Sequence, residues 1–212
     1  MPEHSLHVAH QFDDAQQQFE ASMLGMWAFL VTEIMFFGGL FAAFFVYITA
    51  YAAGFAEGSR HLDILLGTVN TAVLLGSSLT MVLAVRSAQT GSQGGQIAYL
   101  ALTMLLGAVF LGIKGIEYAH KFADGLVPGR YFSLTGPNTQ GVQLFFSFYF
   151  AMTGMHALHM VVGEGILAVL LVQAWRGRYT TEYFTPVEIS GLYWHFVDIV
   201  WIVIFTLVYL IQ

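Results

Sequence analysis

Ionisable side chains inside long apolar stretches are the residues of this sequence whose chemistry most needs an explanation. The stretch FLVTEIMFFGGLFAAFFVY contains a single carboxylate, Glu33. Two later apolar stretches contain His156 with His159, and His195 with Asp198. A charged side chain at the centre of a bilayer costs about 2.5–3.5 kcal/mol even on the lenient insertion scale. These groups therefore need partners or water.

The spacing of these residues predicts a shared polar layer. His156 and His159 are three positions apart, as are His195 and Asp198, so each pair lies on one side of its helix. Counting about 1.5 Å per residue from the predicted helix ends places both pairs and Glu33 near the middle of the membrane. Two acids and three imidazoles are thus expected at one depth.

Three interpretations of this layer are open. In the first, Glu33 is a protonated, buried carboxyl that hydrogen-bonds a His or Ser of a neighbouring helix and determines helix register. In the second, the imidazoles ligate a haem or a metal, although four His on a helix pair, the usual haem set, are missing. In the third, the acid belongs to a proton or ion pathway.

The composition requires a membrane protein with several spans. The chain has 212 residues, of which 57% are hydrophobic and only 9% are charged. Uncharged runs of about 20 residues can cross about 30 Å of hydrocarbon as helices. We predict an all-α, polytopic bundle of five transmembrane helices at about Ala21–Ala52, Leu62–Val85, Ile97–Phe122, Gln143–Trp175 and Glu188–Ile211. The last helix is predicted to begin with Thr185 as its cap and Glu188 completing a capping box.

The first twenty residues are predicted to be a polar tail. They include groups that exchange protons near neutral pH, which makes a surface proton antenna one hypothesis and a simple solvated tail the other. The candidate antenna residues are His4, His7, His10, Asp13 and Asp14. The net charge of −6 and the lack of a basic block give no reason to expect nucleic-acid binding, and the absence of cysteine excludes thiolate metal sites.

Two further patterns concern helix packing. Lys114, Glu117 and Lys121 are predicted to form a charge cluster near the membrane edge, in which Glu117 pairs with either lysine. Gly38 and Gly39 are each followed four residues later by alanine, a small-xxx-small pattern that predicts a close approach by another helix.

The motifs, taken in chain order, resemble subunit III of the haem–copper oxidases, most closely the cytochrome c oxidase type. The best match is GLYWHFVDIVWIVIFTLVYL near the C-terminus. The segments EIMFFGGLF, NTAVLLGSSLT, LGIKGIEYAHKF and FFSFYFAMTGMHALHM follow the family's order. The chain resembles the short, five-helix bacterial form, and many relatives have glutamine where Lys114 stands.

The resemblance implies an accessory subunit with no catalytic residue, metal or redox cofactor of its own. Haem and copper belong to partner subunits; subunit I is the direct neighbour, subunit II is a further subunit of the complex, and cytochrome c is the substrate of the complex. The family supports proton uptake by an enzyme that reduces dioxygen to water, and it holds structural phospholipid. Glu33 matches a buried carboxylate that reacts with carbodiimides in family members.

The resemblance also implies a bacterial plasma (inner) membrane location with a cytoplasmic N-terminus. Charge alone does not orient the chain, because the short loops carry three basic residues on each side. Subunit III of a quinol oxidase is the nearest alternative, since it has the same five-helix plan. An independent ion transporter is the alternative from a different class, and the chain lacks the inverted repeats that such proteins show.

Overall fold

The computed structural model describes residues 8–130 and 132–211. Within these ranges the chain forms six α-helices and no β-strand. The helices are α1 (Ala15–Ala50), α2 (Ala52–Arg60), α3 (Ile64–Gln89), α4 (Gln93–Ala123), α5 (Thr139–Trp175) and α6 (Thr185–Tyr209). All except α2 are long and apolar enough to cross a membrane. The prediction of an all-α bundle with five spans is confirmed for the described residues.

Helix α6 lies at the centre of the bundle. It packs against α1, α3 and α5. Trp194 and Trp201 are its largest buried side chains, and each indole nitrogen needs an acceptor inside the apolar core. Trp194 Nε1 donates to Ser77 Oγ and Trp201 Nε1 donates to Thr71 Oγ1, both at 3.0 Å. Hydroxyl groups of α3 therefore determine how α6 sits against it.

Helix α1 lies at the periphery. Its buried residues are Leu30, Phe37 and Phe44, one every seventh position, so a single narrow stripe faces the bundle. A Cβ atom added at Gly38 or Gly39 would meet no atom within 4 Å. The close helix approach predicted at these glycines is therefore not made within the described chain.

The closest backbone approach occurs between α2 and α5 instead. A Cβ atom on Gly54 would lie 2.6 Å from the Cα atom of Gly141, so neither helix has room for a side chain there. Helix α2 was not expected, because its two glycines lower helix propensity. It forms because this face packs against α5.

Two helix boundaries differ from the predicted ones for a clear reason. Helix α1 begins at Ala15 rather than Ala21, because Asp14 Oδ1 accepts from the backbone N–H of Gln17 at 2.7 Å and caps it. The predicted polar tail of residues 1–20 is correspondingly shorter. Helix α6 begins at Thr185 itself with Phe184 at the N-cap and without a side-chain cap, so the predicted capping role of Thr185 is wrong.

Candidate functional site

Glu33 on α1 and His159 on α5 form a polar contact between these two helices. Glu33 Oε2 lies 3.0 Å from His159 Nε2. The other ring nitrogen, Nδ1, lies 2.9 Å from the carbonyl oxygen of Met155. The side chains of Glu33 and His159 are 19% and 15% exposed, so the pair is reached from outside the bundle. Among the three imidazoles named above as candidates, the partner is His159.

Hydrogen-bonding rules leave one shared proton in this contact. A carbonyl oxygen only accepts, so Nδ1 of His159 carries a hydrogen and donates it to Met155. Nε2 and Glu33 Oε2 then hold a single proton between them. It lies either on the carboxyl, which gives a neutral pair, or on the imidazole, which gives an ion pair. Apolar surroundings favour the neutral pair because it removes no charge from water.

The other members of the predicted polar layer have separate environments. His156 is buried beside Phe110 and Trp201, whose ring centroids are 5.5 and 5.1 Å from its own. Neither of its ring nitrogens has a hydrogen-bond partner among the described residues. His195 Nδ1 lies 2.8 Å from Ser78 Oγ on α3. The residues of the predicted layer therefore do not form one connected cluster.

Asp198 on α6 is a buried carboxyl, only 3% exposed. Neither of its carboxyl oxygens has a hydrogen-bond partner of good geometry among the described residues. Ser78 lies beside it, but the Ser78 hydroxyl is engaged by His195. An uncharged carboxyl is the form compatible with such surroundings.

Lys114 and Glu117 form a buried ion pair in the C-terminal part of α4. Lys114 Nζ lies 2.9 Å from Glu117 Oε2, and their side chains are 5% and 4% exposed. Two phenols, from Tyr149 on α5 and Tyr209 on α6, donate to Glu117 Oε1 at 2.9 and 2.5 Å. Lys114 Nζ also donates to both phenolic oxygens. The network joins three helices.

This arrangement selects one of the two pairings predicted for the charge cluster. Lys114 and Glu117 lie inside the bundle, and Glu117 pairs with Lys114 and not with Lys121. Lys121 Nζ instead donates to the backbone oxygen of His61 at 2.5 Å, between α2 and α3. Helix periodicity alone permitted either lysine as the partner of Glu117. The tyrosines that decide the outcome come from helices distant in sequence.

Glu164 on α5 is an intramembrane acid that the sequence analysis missed. Its Oε1 atom is buried without a hydrogen-bond partner among the described residues. The signal was the one that identified Glu33, namely a lone carboxylate in an apolar run, here VVGEGILAV. The predicted polar layer included the two histidines that precede it on the same helix but did not include Glu164.

The tail residues proposed as a proton antenna are only partly within the described ranges. His4 and His7 lie outside them. His10, Asp13 and Asp14 are described and exposed. Asp14 caps α1, which gives it a structural role. The antenna stays a prediction.

A groove between α1, α5 and α6 leads from the end of the bundle where α1 begins down to Glu33 and His159. Its upper part has a volume of about 710 Å³ and is lined at the polar end by Gln173, Arg178 and Tyr179. Its lower part, about 370 Å³, ends at Glu33 and His159. Val162, Ile166, Ile189 and Ser190 line both parts.

The polar end of this groove holds a neutral phenol. Tyr179 OH donates to Gln173 Oε1 at 2.5 Å. Burial raises the pKa of Tyr179 to about 12, with Tyr183 adding to the shift and Arg178 opposing it. The phenol is therefore uncharged at physiological pH, and Arg178 is the cation of the groove entrance.

Metal-binding potential can be judged from donor placement. Within residues 8–130 and 132–211, no three His, Asp or Glu side chains are gathered so that they could hold a metal ion. His156 and His159 point to different neighbours, as described above.

The fold and these contacts define a class of protein: a multi-pass membrane subunit whose ionisable groups pair between helices. Comparison with known proteins makes the class specific. The family model for cytochrome c oxidase subunit III matches residues 5–212. The chain therefore belongs to the cytochrome c oxidase subunit III family, as its motifs indicated, and it is a subunit III of the haem–copper oxidases.

Relatives with different electron donors are similarly close to this chain. Subunit 3 of the cytochrome bo(3) ubiquinol oxidase of Pseudomonas aeruginosa is 36% identical, covering 96% of this chain and 91% of the relative. Cytochrome c oxidase subunit 3 of Corynebacterium diphtheriae is 34% identical, covering 89% and 87%. Quinol oxidase subunit 3 of Bacillus subtilis is 32% identical, covering 96% of each.

The shared proton of the Glu33 pair has a spectroscopic consequence. Because the neutral form of the pair keeps no charge in the apolar bundle, membranes with the native chain should show the carbonyl stretch of a hydrogen-bonded carboxyl. Glu33→Gln should remove that band, and His159→Phe should shift it because the hydrogen bond is lost. Infrared difference spectroscopy measures both, with Glu20→Gln as a control on an exposed acid. A carboxylate band at Glu33 instead would show the ion pair.

The buried ion pair predicts a strongly coupled double-mutant cycle. Lys114→Met leaves Glu117 buried without its cation, and we expect a loss of about 3–5 kcal/mol in stability. Glu117→Gln in the same chain should restore most of it, since the amide oxygen still accepts from Tyr149 and Tyr209. Thermal unfolding of the chain within the detergent-solubilised complex measures the cycle, with Arg60→Met as the control on an exposed cation. Additive single effects would contradict the pairing.

Proposed function

We propose that this chain is the accessory subunit III of a proton-pumping terminal oxidase that reduces dioxygen to water. It carries no redox cofactor, and the haems and copper reside in partner subunits. Its role is to stabilise subunit I, which it contacts directly, and to support proton uptake by that subunit. Subunit II completes the core of the complex. In this sense the chain is a non-catalytic part of an enzyme.

The pairing of its ionisable groups is the observation that carries this proposal. Glu33 forms a hydrogen bond with His159. Lys114 forms an ion pair with Glu117 and donates hydrogen bonds to two phenols. The hydrogen bonds of these pairs connect helices, and among the described residues no three His, Asp or Glu side chains are gathered so that they could hold a metal ion. A subunit built this way supplies a rigid membrane surface to a catalytic neighbour.

Cytochrome c is the electron donor that we propose for the complex. The support is the likeness of the C-terminal helix motif and the matching family model, which describes cytochrome c oxidase subunit III. A quinol is the second candidate, and the relative from Pseudomonas aeruginosa favours it, since that relative is named a ubiquinol oxidase subunit.

The chain is proposed to lie in the inner membrane of a bacterium with its N-terminus in the cytoplasm. In that orientation the entrance of the groove between α1, α5 and α6 opens at the cytoplasmic leaflet. Arg178 at the entrance supplies a cation for a phosphate, and the apolar wall below it fits an acyl chain. We assign this groove to a structural phospholipid.

Copurification followed by optical spectroscopy tests the proposed function. A tagged chain expressed in its native host should bring down a complex that contains haem and consumes oxygen. Removing the chain should leave a complex that loses activity faster during turnover. Oxygen uptake with reduced cytochrome c or with quinol then identifies the donor. Haem bound stoichiometrically to the chain alone would contradict the proposal.

The lipid assignment has a separate test. Arg178→Gln should reduce the phospholipid retained per purified complex, because the phosphate loses its cation. Arg176→Gln is the matched control, since Arg176 is an exposed arginine of the same loop that does not line the groove. Native mass spectrometry counts the bound lipids. Equal lipid retention in the two variants would contradict the assignment.

A further inference from the structure

The outer edge where α4 and α5 adjoin, called the outer groove below, contains an acid that the described chain does not satisfy. Glu164 on α5 has no hydrogen-bond or ion-pair partner among the described residues. Its Oε1 atom is buried, whereas Oε2 is not and is therefore the oxygen that a donor from outside can reach. This atom lies over Gly107 of α4, where an added Cβ atom would collide with it. The rest of the side chain is partly exposed at the surface of the bundle.

Glu164 lies too deep for lipid headgroups to reach it. Gly107 is at the middle of α4, which runs from Gln93 to Ala123. Trp194, near the middle of α6, packs against both Gly107 and Gly163. An acid at this depth faces hydrocarbon if nothing covers it, and acyl chains offer no hydrogen-bond donor.

Small residues line the α4 side of this groove. Counting 100° per residue from Gly107 places five of them about 80–140° around the helix, beside the edge that packs on α5. They follow a heptad spacing, and all are exposed: Ala101, Ala108, Gly112, Gly115 and Ala119. A Cβ atom added at Gly112 or Gly115 would meet no atom within 4 Å.

The neighbouring edge of α5 continues the groove. Ala157, Val161, Glu164 and Ala168 follow one another at spacings of three and four residues, so they share one side of α5. Tyr118 of α4 contacts α5 through Thr153, which fixes the antiparallel register of the two helices. In that register Gly107 is level with Glu164, and Ala108 lies one residue further along α4. The small residues of α4, together with Ala157 and Ala168 on α5, leave room for a third helix backbone to approach.

We propose that this groove is the docking surface for a transmembrane helix of a partner subunit, which donates a hydrogen bond to Glu164. The donor is a hydroxyl, amide, indole or guanidinium group at the depth of Gly107. This inference rests on the proposed function, since it presumes that the chain assembles in an oxidase. Beyond the proposed function, it identifies the α4–α5 face as the one that contacts the partner and Glu164 as the residue that recognises it.

Site-specific cross-linking tests the face. The chain has no cysteine, so Ala108→Cys and Gly115→Cys each introduce a single site for a photo-crosslinker. Val46→Cys on α1 and Leu79→Cys on α3 are matched controls, because these residues are 65% and 61% exposed on other faces. In the intact complex, both α4 sites should cross-link to another oxidase subunit, and the controls should yield lipid adducts.

Two substitutions test the acid. Glu164→Leu removes the hydrogen-bond acceptor. Glu164→Gln keeps the size of the side chain and one acceptor oxygen. After a detergent wash, the amount of chain retained per haem should fall about tenfold for Glu164→Leu, which is the ratio expected for the loss of one intramembrane hydrogen bond. The Glu164→Gln chain should be retained nearly as well as the native chain. Because leucine is compatible with an apolar site, lower retention of the Glu164→Leu chain reports lost association and not misfolding.

The outcomes separate this inference from the proposed function. Lipid adducts alone from the α4 sites, or cross-links to a second copy of the chain, overturn the docking surface while the oxidase assignment stands. Equal retention of the Glu164→Leu and native chains overturns the role of Glu164. A native chain that never copurifies with haem overturns the proposed function, and this inference with it.

Discussion

The pairing of polar groups between helices is the constraint on which the rest of this structure depends. No water is present in hydrocarbon to solvate a charge, so an ionisable side chain there needs a partner or an uncharged form. Glu33 joins α1 to α5 in this way, and Tyr149 and Tyr209 join the Lys114–Glu117 pair of α4 to α5 and α6. These contacts favour the observed helix neighbours, because another neighbour would leave a carboxyl oxygen without its hydrogen-bond donor.

The neutral polar groups make a second set of such connections. On helix α3, the hydroxyls of Ser77 and Thr71 accept from the indoles of Trp194 and Trp201 on α6. Ser77 also donates to the backbone oxygen of Thr103 on α4. Two small polar residues of α3 therefore hold two helices in register. Dispersion between apolar side chains alone would permit sliding, since lipid tails are equally good neighbours.

Sequence reasoning succeeded for features determined by a single helix. The five spans follow from segment length and apolar composition. Pairings between helices were less accessible. His156 and His159 were equivalent on sequence grounds, and only the rotation of α5 in the bundle turns His159 toward α1 and His156 toward Trp201.

The misses have the same physical origin. Gly38 and Gly39 looked like a packing face, whereas the close approach falls at Gly54 and Gly141, because α2 folds back on α5. The capping role assigned to Thr185 failed because α6 starts one residue earlier than that role requires. Local patterns list the contacts that a helix can make, and the neighbours decide which of them are made.

The unpartnered polar groups divide into two kinds, and the difference bears on assembly. His156 and Asp198 are buried inside the bundle, where an uncharged form is compatible with apolar walls and no other chain has access. Glu164 lies in an open groove between two rows of small residues, so another helix has access to it. Groups of the first kind concern the stability of this chain alone. A group of the second kind becomes satisfied only when another molecule covers it, which makes association with a partner part of the same hydrogen-bonding requirement that builds the bundle.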